Sequence, residues 1–108
     1  MKINSRDKGA RGERELANKL KEYGYDCRRG QQFNGLDGND VVGLEGIHIE
    51  CKRVEKLQLT NAMLQSCRDA KDGETPVVMH RKNNEEWYVT LRLDGFMEMY
   101  NDWEVHKK

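Results

Sequence analysis

Residues 47–52, Ile-His-Ile-Glu-Cys-Lys, change character at every step: Ile47, Ile49 and Cys51 alternate with His48, Glu50 and Lys52. A period of two belongs to an extended strand, whose successive side chains point to opposite faces. One face of this strand is therefore apolar and the other ionisable, with Glu50 and Lys52 together on the ionisable side. Gly43 and Gly46 bracket a tight turn just before it, and Asp40-Val41-Val42 supplies a partner beyond the turn. Residues 40–43 and 47–53 read as an antiparallel hairpin. Such a hairpin needs a wider sheet to hold it and helices to cover its apolar face.

The remaining segments supply both. From Gly9 to Tyr23 the residues are helix formers, with Leu16, Leu20 and Tyr23 on one stripe and Gly24 as the stop. Glu13, three residues before Leu16, lies on the inward side, whereas Glu15, about 200° around from Glu13 at the helical pitch, faces water. Tyr25–Arg29 reads as a short strand, and the glycine-rich polar stretch from Gly30 to Asn39 is a loop returning the chain to Asp40. A second helix is expected from Thr60, as N-cap, to Ala70, burying Leu59, Met63, Cys67 and Ala70 and leaving at Asp72-Gly73. Val77-Val78-Met79 after Pro76 forms a strand that ends in His80-Arg81-Lys82. Asn83-Asn84 turns the chain into a further strand, Trp87 to Leu91, whose Trp87 and Tyr88 belong to core and sheet. Asp94 caps a short last helix carrying Phe96, Met97 and Tyr100, and residues 101–108 form a weakly ordered tail. The order α, β, β, β, α, β, β, α gives an α/β fold with one mixed central β-sheet flanked by helices. With 108 residues, 36% of them hydrophobic, there is material for one core, so residues 1–108 are expected to form a single domain.

Lysine plus arginine and aspartate plus glutamate both number 19, so no bulk field draws a polyanion to the chain. Local clusters do carry positive charge: Lys2, Arg6, Lys8, Arg11 and Arg14, then Arg28 and Arg29, then Arg81 and Lys82. These suit phosphate contacts, and they equally suit a solvated face. Three cysteines without a Cys-x-x-Cys pair fit neither a disulfide framework nor a structural zinc site and read as reduced thiols. The first residues lack the apolar core of a signal peptide and no run reaches membrane-spanning length, so a cytosolic location is expected. His48 reads as a surface strand histidine, with no metal-ligand spacing to His80 or His106.

Three acids remain that the fold brings toward one another: Glu13 on the inward face of a helix, Asp40 leading into a strand, and Glu50 on the adjoining strand. Oxygen ligands of this kind suit Mg²⁺ (or Mn²⁺), which takes one or two protein carboxylates plus a substrate phosphate. Gathered without a cation, the acids would repel one another. Lys52 adds a fixed positive charge beside Glu50. Such a set meets the needs of phosphodiester hydrolysis, in which a metal activates water and a lysine stabilises charge on the phosphate. Taken alone, a Glu-x-Lys pair also fits a solvent-facing ion pair.

The succession KGARGERE at residues 8–15, an aspartate leading into a strand, and Ile-Glu-Cys-Lys after a short turn resembles the PD-(D/E)XK nuclease superfamily. Within it, the pattern more closely resembles archaeal-type Holliday junction resolvases and their phage or prophage relatives. The resemblance spans residues 6–93, its specific part being 8–52. It implies a restriction-endonuclease-like fold, with Glu13 as the helix carboxylate, Asp40 and Glu50 as the metal-binding pair, Lys52 as the catalytic lysine and Arg14 near the phosphate. It further implies a site glutamine at Gln65, divalent-metal dependence, and a homodimer cutting a four-way junction or other branched DNA; on such a substrate the basic clusters, with Lys8, Arg11, Arg28 and Arg29 beside Arg14, are expected to grip phosphate. Asn39 stands where the family motif has proline, Asp37 offers a rival ligand to Asp40, and the loop with Gln31 and Gln32 lacks the serine some resolvases carry. Open alternatives are a nuclease for nicked, flapped or linear DNA and a non-catalytic DNA-binding module on the same fold. Phe96 to Tyr100 either forms a subunit interface or covers the sheet.

Overall fold

The computed structural model describes residues 5–30 and 40–107, with side chains from Lys8 onward. Eight elements follow one another: α1 (Ser5–Lys21), β1 (Arg28–Arg29), β2 (Val41–Val42), β3 (Ile47–Arg53), α2 (Leu59–Asp69), β4 (Thr75–Arg81), β5 (Tyr88–Leu91) and α3 (Leu93–Lys107). This is the expected order. The strands form one sheet in the order β1-β2-β3-β4-β5, antiparallel except for the parallel pair β3–β4, which α2 connects. A parallel pair cannot be joined by a tight turn, so the crossover helix is a topological necessity. The fold is α/β, a mixed five-stranded sheet with three helices.

The hairpin forms as expected around Leu44–Gly46, where Gly43 (φ +127°) and Gly46 (φ +84°) take the left-handed conformations that L side chains rarely adopt. Gly43 has a second constraint: a Cβ there would lie 2.7 Å from the Cys27 Cα. The first core lies between α1 and the sheet, where Leu16, Ala17, Cys27, Val41, Ile49, Val77 and Met79 pack together. Full burial of each large aliphatic side chain there contributes about 1.5–3 kcal/mol. Gly12 lets α1 approach β3 closely, since a Cβ at that position would sit 2.6 Å from the Arg53 Cβ. This close approach sets Glu13 against the sheet edge.

Several expectations are corrected. α1 begins at Ser5 and ends at Lys21, so Tyr23 falls in the turn and is 70% exposed rather than buried. The first strand narrows to Arg28–Arg29. Thr60 lies inside α2 and does not cap it; Gln58 is the N-cap residue, without a side-chain cap bond. The stripe that α2 buries is Ala62 and Ser66, with Leu59 exposed and Met63, Cys67 and Ala70 half-buried. Small residues are needed because the helix lies close on the sheet: the Ser66 hydroxyl donates to the Val77 carbonyl at 2.9 Å. The last helix runs on to Lys107, through residues expected to trail as a tail. Ring contacts of Tyr100 with Phe96 and Trp103, and Lys107 Nζ over the Trp103 ring at 4.6 Å, support those turns locally. No helix among the described residues is long and apolar enough to cross a membrane.

Candidate active site

β3 divides the site between two faces. Ile49 joins the core under α1, and Arg53 on the same side reaches Glu15 of that helix at 3.1 Å. His48, Glu50 and Lys52 alternate onto the side that α2 covers. His48 is 0% exposed and Glu50 2%, so the ionisable face lies largely inside. The expectation of a surface His48 is therefore wrong: a helix crossing between parallel β3 and β4 must lie over that face.

Asp40 sits one residue before β2, whose Val41 pairs with Ile49 of β3, and its own bonds to β3 go to the residues on either side of Glu50. Its amide donates to the Ile49 carbonyl at 3.0 Å, and a carboxylate oxygen accepts the Cys51 N–H at 2.8 Å. Both ends of the residue are thus tied to β3. Glu13 reaches toward the same sheet edge from α1, where its Oε1 accepts a hydrogen bond from Arg29 Nε at 2.9 Å; only 15% of its side chain is exposed. Glu50 Oε1 lies 3.4 Å from His48 Nε2. Each of the three carboxylates is directed onto its own donor: a guanidinium, a backbone amide and an imidazole.

Their charges nevertheless meet at Asp40. Burial, then the charge of Glu50, pushes the Asp40 carboxyl up to about 7; Glu13 adds to the rise, while the Cys51 amide and the Lys52 ammonium oppose it. Glu13, Asp40, Glu50 and Lys52 therefore lie within electrostatic reach of one point. The neighbouring Cys51 thiol is pushed far above its ordinary range by burial and by the charges of Asp40, Glu13 and Glu15, which leaves it unreactive. For His48, burial lowers the pKa, but the bond to Glu50 and the charges of Glu50, Glu74 and Asp69 outweigh it and the net direction is up. His48, Glu50 and Asp69 form the set, among the described residues, whose ligating atoms all lie within 4.8 Å of one another. The expected trio is looser than this, spread over its three donors.

Of the basic residues, Lys8, Arg11 and Arg14 are exposed at intervals of three, which places them along one ridge of α1. Arg28 is exposed, and Arg29 is held by Glu13. Gln65 is half-buried on α2, the helix over Glu50. Arg81 is engaged with Glu15, so only Lys82 of that basic pair is uncommitted to an acid among the described contacts. Glu15 was expected to face water; instead it bridges Arg53 and Arg81, partners far away in sequence. Asp37, Asn39, Gln31 and Gln32 lie outside the described residues, as do Lys2 and the side chain of Arg6. Sequence reasoning missed the acids behind His48, Asp69 and Glu74. The available signal was the crossover itself, which brings the end of α2 and the start of β4 beside the first residues of β3.

No curated protein matches the chain. Among solved structures it is similar to Hjc from Archaeoglobus fulgidus, a Holliday junction resolvase of an archaeal hyperthermophile. The TM-score is 0.59 with 24% sequence identity, over 78% of this chain and 72% of that one. At that identity the likeness establishes the fold. Residues 4–108 match the family described as "Phage putative PDDEXK endonuclease", a match that takes in the helix acid, the aspartate before β2 and the Glu-x-Lys of β3, and the chain belongs to that family.

Proposed function

We propose that this PDDEXK-type nuclease is a Mg²⁺-dependent (or Mn²⁺-dependent) endonuclease selective for branched DNA, with Asp40 and Glu50 as the main metal ligands. The observation that carries the reading is the burial of Asp40 and Glu50 together, 9% and 2% exposed, with the Asp40 carboxylate held on the Cys51 N–H next to Glu50 and pushed up by burial and by Glu50. Two buried carboxylates that repel one another gain most from a hard dication placed between them. The donors fit it: oxygens only, with Glu13 on a third element within reach. When bound, such an ion supplies charge neutralisation at the phosphate and lowers the pKa of a water.

The chain's own residues do the rest. Lys52 directs its ammonium toward the phosphate oxygens that gain charge as the bond to the leaving 3′ oxygen breaks. Glu13 holds Arg29, whose remaining guanidinium donors are directed at a neighbouring phosphate. Lys8, Arg11 and Arg14 form a ridge that follows the nucleic-acid backbone. Gln65 offers an amide from the opposite side of the site.

Two symmetric cuts in a four-way junction require two such sites at a fixed spacing, hence a homodimer. Support comes from α3, which leaves Phe96, Met97, Tyr100 and Trp103 each more than 40% exposed. An apolar stripe of that length on a projecting helix fits a self-complementary interface. The test is nicking of a panel comprising four-way junction, flap, nicked and linear duplex DNA, with Mg²⁺ and with EDTA. Metal-dependent cleavage of the junction well above the others supports the reading. Equal cleavage of linear duplex removes branch selectivity, and binding without cleavage leaves a DNA-binding module.

A further inference from the structure

We propose that His48 is a positioning residue for Glu50, acting through the Nε2 contact to one carboxylate oxygen. The inference rests on the assignment of Glu50 as a metal ligand. The two residues are separated by one position on β3, point to the same side and are 0% and 2% exposed, with Nε2 and Oε1 3.4 Å apart.

Stability alone does not account for a histidine here. Its Nδ1 is buried without a hydrogen-bond partner among the described residues, standing 3.7 Å from Glu74 Oε1. A buried polar atom in that condition is destabilising, and an apolar side chain of similar volume would avoid that cost. What histidine adds is a donor on a rigid ring. Holding one oxygen of Glu50 restricts the torsions of a side chain that otherwise has three to choose from. It leaves the second oxygen for an ion shared with Asp40 across the hairpin. Outer partners of ligating groups act in this way, fixing orientation and tuning basicity. Asp69 and Glu74 place negative charge near the ring from the end of α2 and the approach to β4, without bonding Nδ1. A cation seated directly on His48, Glu50 and Asp69 would draw Glu50 away from Asp40, so the imidazole is assigned as holder and not as ligand.

The test compares His48→Phe, which removes the donor, with His48→Gln, whose amide N–H reaches about as far as Nε2. His48→Leu replaces the phenylalanine variant if the ring does not fit. Three quantities are measured on the intact chain: the Kd for Mn²⁺ by calorimetry without DNA, the Mg²⁺ concentration for half-maximal single-turnover cleavage, and the Tm. The apolar variant is expected to keep or raise the Tm while weakening Mn²⁺ binding about 10- to 100-fold and raising the Mg²⁺ requirement by a similar factor. The glutamine variant stays within about threefold of wild type. Unchanged Mn²⁺ binding in the apolar variant overturns the inference, as does a loss in both variants that simply follows Tm. Glu50→Gln is run alongside. If it keeps metal binding and cleavage, the assignment of Glu50 itself fails; if it loses both while His48→Phe keeps both, only the role of His48 fails.

Discussion

Asp40 is bonded to β3 on either side of Glu50, its amide to the Ile49 carbonyl and its carboxylate to the Cys51 N–H, and after burial the charge of Glu50 is the largest cause of the rise of its carboxyl to about 7. The unfolded chain releases that proton near its ordinary value of about 3.9. Below that pH both states hold the proton and the folded state bears no penalty. Between about pH 4 and 7 the unfolded chain ionises first, so this group's contribution to stability is progressively lost as pH rises. Asp40→Asn does not titrate. We expect it to exceed wild type in Tm by several degrees at pH 8 without divalent metal, a gain on the order of 2 kcal/mol, with the gap closing toward pH 4. Thermal melts across that range check the sign.

The same proton competes with a cation. As pH rises toward 7, Mn²⁺ binding to the wild type is expected to strengthen by up to about tenfold per pH unit, and to level off above 7. Calorimetry in buffers of differing ionisation enthalpy would also show close to one proton released per ion near pH 6. Affinity independent of pH would separate Asp40 from the metal.

Gly12 holds α1 close over β3. Ala in place of Gly inside a helix ordinarily stabilises by about 1 kcal/mol, but Gly12 is buried and the new Cβ would meet the Arg53 Cβ at 2.6 Å. Gly12→Ala is expected to lower the urea unfolding free energy by about 1–3 kcal/mol net and to reduce cleavage by moving Glu13 off the sheet edge.

The aromatic side of α3 gives a test of assembly. Phe96→Glu combined with Trp103→Glu places two charges on the stripe without touching the core, since Gly95 is the one buried residue of α3 among those described. Sedimentation should report a dimer for wild type and a monomer for the double variant, with unchanged circular dichroism below 240 nm apart from α3 itself.

Much of this architecture was legible in the chain. The alternation in 47–52 with Gly43 and Gly46 beside it fixed β3 and the hairpin, because both signals are local. Glu13 was placed correctly on the inward face by its spacing to Leu16. The errors share a cause: they depend on contacts between distant segments. Glu15 is turned toward the protein by Arg53 and Arg81, neither of which helical periodicity can see. α2 buries Ala62 and Ser66 because the close helix–sheet approach selects for small volume over hydrophobicity. His48 reads as a surface residue from sequence because a polar strand face looks solvent-facing until the crossover helix is laid upon it. The continuation of α3 through Trp103 rests on side-chain contacts along one face of a helix whose sequence otherwise looks polar.

The most direct measurement is single-turnover cleavage of an end-labelled four-way junction by wild type and by Glu50→Gln, with Mg²⁺ and with EDTA, beside the junction Kd of each. We expect cleavage by wild type only with Mg²⁺, a loss of about a thousandfold or more in the variant, and junction affinities within about threefold of each other. Cleavage in EDTA, or a Glu50→Gln variant that cuts at the wild-type rate, would contradict the account.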